Sequence, residues 1–100
     1  MEKVLDKFLR YIQIDTESNS SSRTCPSKEK QFNLARLLET ELSQLGLEKV
    51  DLDENGYVTA VLPANSAKHH KKIGLIAHMD TSPDFSGKNV SPQIITNYNG

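Results

Sequence analysis

The stretch Lys72-Ile73-Gly74-Leu75-Ile76-Ala77-His78-Met79-Asp80-Thr81-Ser82-Pro83 decides how the chain is read. It is the most apolar run in the sequence, and it ends abruptly in polar, ionisable residues. A short apolar run between a lysine pair and a Ser-Pro turn predicts a strand over 73–79. Apolar residues at both parities predict burial on both faces, inside a mixed sheet, with the 57–62 strand or its neighbour alongside. Side chains alternate along a strand, so His78 and Asp80 fall on one side at its C-terminal end. That end is where open α/β sheets bind ligands. An imidazole beside a carboxylate there suits a metal ligand with the acid that orients it, or a general base with its orienter. The competing reading is an ordinary hydrogen-bonded histidine before an Asp-Thr-Ser-Pro turn, whose carboxylate holds nearby backbone N–H groups.

The chain around this stretch sets limits. Its 100 residues are at most one small domain, and a hydrophobic fraction of 36% allows only a modest core. A formal net charge of -1 gives no electrostatic case for nucleic acid or an anionic membrane surface. No apolar run is long enough to span a bilayer. The opening Met1-Glu2-Lys3-Val4-Leu5-Asp6-Lys7 is charged and amphipathic, unlike a signal peptide. A single cysteine, Cys25, allows no internal disulfide. Together these favour a cytoplasmic protein.

Upstream of the central run, Val4, Leu5, Phe8, Leu9 and Ile12 mark one face of a packing helix over 3–14. Residues 18–24 are Ser-rich, carry no apolar anchor and predict a mobile surface loop. Pro26-Ser27 announces a second helix over 28–45, with Ser27 as its N-cap and Gly46 as its stop. Phe32, Leu34, Ala35, Leu37, Leu38, Leu42 and Leu45 form its apolar face. Val50 to Asp53 and Tyr57 to Leu62 read as a β-hairpin around Asn55-Gly56, a pair that tolerates positive φ at both positions. The acids Asp51, Asp53 and Glu54 lack the ligand set of a calcium loop and belong to a solvated turn. His69 and His70 sit among lysines that disfavour a divalent cation. A seven-residue strand at about 3.3 Å per residue also puts them roughly 20 Å from its far end. Residues 84–87 read as a turn and 93–98 as a final strand. No closing helix follows that strand, so the chain reads as cut off.

From Ile73 to Val90 the sequence resembles the first metal-ligand motif of the peptidase T family, tripeptide aminopeptidases among the co-catalytic zinc peptidases. His-x-Asp after an apolar strand is shared across that wider group, which includes dipeptidases, carboxypeptidases and deacylases. The continuation Thr81-Ser82-Pro83-Asp84-Phe85-Ser86-Gly87-Lys88-Asn89-Val90 points to peptidase T in particular. The opening helix, the Ile14-Asp15-Thr16 step, the second helix and the Asn55-Gly56 hairpin match in order, so the resemblance covers all 100 residues.

The resemblance implies an α/β sandwich catalytic domain around a mixed sheet, of which residues 1–100 are the N-terminal portion, without the smaller lid domain. It implies two zinc ions bridged by a carboxylate and a water. His78 would be a zinc ligand, and Asp80 the nearby catalytic acid that hydrogen-bonds and tunes it. The other ligands and the general-base Glu would lie beyond Gly100, and the segment alone would be inactive. The implied partners are tripeptide substrates and the remainder of the chain's own catalytic and lid domains. Two alternatives stay open: a dipeptidase or deacylase of the same group, and a non-catalytic fragment or binding module.

Overall fold

The structure is a computed structural model and describes residues 2–69 and 71–100. Its elements are α1 (Val4–Tyr11), α2 (Gln31–Gln44), β1 (Glu48–Leu52) and β2 (Val58–Val61). The chain is thus mixed α/β, with the two helices and the hairpin that the sequence predicts.

Helix α2 is the centre of what packing there is. Leu34 and Ala35, on its apolar face, are the buried hydrophobic residues among those described. The helix stops as its sequence requires. Gly46 takes φ 79°, its N–H donates to the Ser43 carbonyl at 3.0 Å, and Leu47 N–H donates to the Leu42 carbonyl at 3.2 Å. That pair of bonds is a Schellman ending, which suits a residue without Cβ. The start differs from expectation. Ser27 does not cap α2; Lys30 precedes the helix with no side-chain cap. The Ser27 hydroxyl instead accepts from Asn19 N–H at 3.1 Å and from Gln31 Nε2 at 3.2 Å. A tertiary role has displaced the local one.

The hairpin packs against α2 through both strands. Its strands pair antiparallel, Asp51 opposite Thr59 and Leu52 opposite Val58, with an irregularity between Glu48 and Asp51 where Lys49 takes φ 50°. Only Gly56 of the Asn-Gly pair has positive φ, at 82°. The Asp53 carboxylate explains this, because it accepts the N–H groups of Asn55 and Tyr57, each at 2.9 Å. The side chain closes the turn, so Asn55 need not leave the ordinary backbone region.

Three expectations are corrected. No strand forms over 73–79: Ile73, Leu75 and Ile76 are 85, 95 and 99% exposed. Apolar sequence calls for burial, but a strand also needs a neighbouring edge. Among the described residues β2 pairs only with β1, so the sheet has two strands. Residues 75–80 instead border a solvent-open cleft of about 780 Å³, whose lining also includes Leu38 and Leu42 of α2 and Val58 of β2. Likewise, 93–98 is exposed and forms no strand. Finally, α1 is not a packing helix. It buries no residue, and Val4 and Phe8 are exposed. Its tie to α2 is polar: the Glu41 carboxylate accepts Lys7 Nζ and Arg10 Nε, both at 2.9 Å, and the Tyr11 hydroxyl.

Candidate functional site

His78 and Asp80 meet, although no strand presents them. His78 Nδ1 lies 3.1 Å from Asp80 Oδ1 and 3.0 Å from the Asp80 carbonyl oxygen. Extended backbone suffices for this, since it sends residues two apart to the same side whether or not a ladder forms. Both groups at Nδ1 are acceptors, so the imidazole donates there. Both side chains are open to solvent. The Asp80 carboxylate therefore faces the histidine and does not close the Thr-Ser-Pro turn. That turn is held by Ser82, whose hydroxyl accepts Asp84 N–H at 3.2 Å and donates to Asp84 Oδ2 at 2.9 Å.

What fixes Asp80 in space is the next residue. Thr81 N–H donates to the Thr16 carbonyl at 3.1 Å, and the Thr81 carbonyl accepts Ser18 N–H at 2.9 Å. The two bonds form an isolated parallel bridge between Glu17 and Thr81. Nearby, Gly87 lies so close to Asp15 that an added Cβ would come within 2.5 Å of Oδ1.

The 15–17 step is in turn fastened to the start of α2. Lys30 pairs with Asp15 at 2.6 Å and Lys28 with Glu17 at 2.6 Å. Those ammonium groups hold both carboxyls below their ordinary range. Gln31, itself buried, donates from Nε2 to the Thr16 carbonyl at 3.3 Å. Sequence reasoning missed this bracket. The Ser-rich loop begins in it, with Ser18 anchored on Thr81, and folds beyond that on its own polar groups, Ser21 N–H to Asn19 Oδ1 at 3.1 Å and Ser22 N–H to the Asn19 carbonyl at 3.1 Å.

The other candidate ligands do not join the pair. His69 lies in the exposed 62–69 segment, and His70 lies outside the described residues. Among the described residues, no three His, Cys, Asp or Glu side chains come together in a group that could hold a metal ion.

Comparison with known proteins supplies the context this geometry lacks. The chain is 59% identical over 100 residues to peptidase T of Desulfitobacterium hafniense strain Y51. It is 56% identical over 100 residues to peptidase T of Aliivibrio fischeri and 50% identical over 99 residues to that of Geobacillus thermodenitrificans. Over its whole length the chain is similar to proteins named peptidase T. It spans about 24% of the length of each of these relatives. No family model matches it. These relatives are thus about four times as long as this chain. No helix among the described residues is long and apolar enough to cross a membrane.

Proposed function

We propose that the chain is the N-terminal part of a cytoplasmic, zinc-dependent aminopeptidase that removes the first residue of tripeptides by attack of a metal-activated water. The observation that carries this reading is the His78–Asp80 contact, in a chain whose relatives are named peptidase T. The donor chemistry fits zinc. A neutral imidazole is an ordinary zinc ligand, and its second nitrogen is ordinarily held by a carboxylate. His78 would offer Nε2 to one of two zinc ions. Asp80 would hold the Nδ1 proton, fixing the tautomer and ring orientation and raising the ligand's basicity. Zinc bound there would lower the pKa of a water and polarise the scissile carbonyl.

One histidine is not a catalytic zinc site, which takes about three protein ligands. Residues 1–100 alone should therefore neither hold zinc tightly nor cleave tripeptides. The test uses the full-length protein, stripped with a chelator and reloaded with zinc. Trialanine cleavage that depends on zinc and is lost in His78→Ala supports the proposal. Undiminished cleavage in the stripped enzyme would overturn it, as would sub-micromolar, stoichiometric zinc binding by the 100-residue segment.

A further inference from the structure

The end of the exposed run is held by a relay that starts at the foot of α2. The Thr16 carbonyl accepts two N–H groups, from Thr81 at 3.1 Å and from the Gln31 amide at 3.3 Å. Thr16 is 3% exposed and Gln31 7%, whereas the run these bonds secure is open to solvent. Among the described residues, no backbone hydrogen bond ties residues 73–80 to the rest of the chain; the first such bonds are those of Thr81. A buried amide donating to a buried carbonyl is set by geometry, because either group left alone is costly. Besides the Lys30–Asp15 and Lys28–Glu17 pairs on either side of it, the peptide that receives Thr81 is thus held directly at its carbonyl by Gln31, and through Thr81 so is the carboxylate of the preceding residue.

We infer that Gln31 is a positioning residue for Asp80, acting through the Thr16 peptide and Thr81, and that it sets turnover without touching substrate or metal. This rests on the proposed role of the His78–Asp80 pair. A misplacement of about 1 Å at a reacting centre can cost roughly 100-fold. A loosened strut should cost less, on the order of tenfold in kcat, with KM unchanged.

The test compares Gln31→Met, which keeps the length but cannot donate, with Glu41→Gln, which loosens the remote α1–α2 contact. Both are made in the full-length zinc-loaded protein and assayed per folded, zinc-bound molecule on trialanine. Amide exchange at Thr81 is read in the same proteins. Gln31→Met should lower kcat about tenfold, leave KM and zinc content unchanged and speed Thr81 exchange. Glu41→Gln should change none of these. If the wild type is active and Gln31→Met keeps its kcat, or if Thr81 exchange is unmoved, the inference is overturned while the proposed function stands. A zinc-loaded wild type with no tripeptidase activity overturns the proposed function, and this inference with it.

Discussion

Glu41 offers the sharpest quantitative test of how the helices are joined. Its side chain is 12% exposed and accepts from Tyr11, Lys7 and Arg10. Burial pushes its carboxyl up, but hydrogen bonds from Tyr11, Lys7 and Arg10 outweigh it and hold the pKa down at about 2. Against an ordinary value near 4.5, that shift is equivalent to about 3 kcal/mol. The partner side chains Lys7 and Arg10 are 29 and 37% exposed, so solvent screening reduces this to about 1–2 kcal/mol. A carboxyl depressed in the folded state contributes fully above the unfolded value near 4.5 and loses that contribution as pH falls through the folded value of about 2. Because α1 buries no side chain, its docking should report this loss directly. Glu41→Gln keeps the shape and removes the charge. At pH 7 it should lower the amide-exchange protection of α1, for example at Ile12 N–H, about 5- to 30-fold. At pH 3 the gap should shrink to less than half in free-energy terms. Equal protection at pH 7, or a gap undiminished at pH 3, would refute the reasoning.

Other consequences can be checked separately. In the full-length protein, His78→Ala should lower zinc content and abolish turnover, while Asp80→Ala should keep more metal and lose about 10–100-fold in rate; equal zinc and equal activity in both would sink the assignment. Gly87→Ala should push the Asp15 carboxylate from its place beside Lys30, and a double-mutant cycle with Asp15→Ala should be non-additive; strict additivity in thermal melts would contradict the contact. Gly46→Ala and Gly56→Ala should each cost about 1 kcal/mol or more, because both residues hold positive φ. A Gly46→Ala variant that melts higher than the parent would contradict the Schellman ending.

Helix α2 and the hairpin were legible in the sequence because their signals are local. Periodic leucines and a terminal Gly46 describe one helix, and Gly56 beside Asp53 describes one turn. The meeting of His78 and Asp80 was legible for a similar reason, since extended backbone of any kind brings residues two apart to one side. The bracket on Thr81 was not legible. It is made of backbone N–H and carbonyl groups, which every residue carries and no side chain announces. The strand over 73–79 failed differently: an apolar run states a need for cover and does not state that a cover is at hand. Burying one Leu or Ile yields about 1.5–3 kcal/mol, so Ile73, Leu75 and Ile76 together forgo roughly 5–9 kcal/mol. That rivals the whole stability of a typical domain, about 5–15 kcal/mol. A sheet edge or helix laid on 73–76 would therefore be held strongly. The Thr81 bonds lie beyond the run, at the Asp80 end, so cover could be gained there without disturbing the joint that fixes the His78–Asp80 pair.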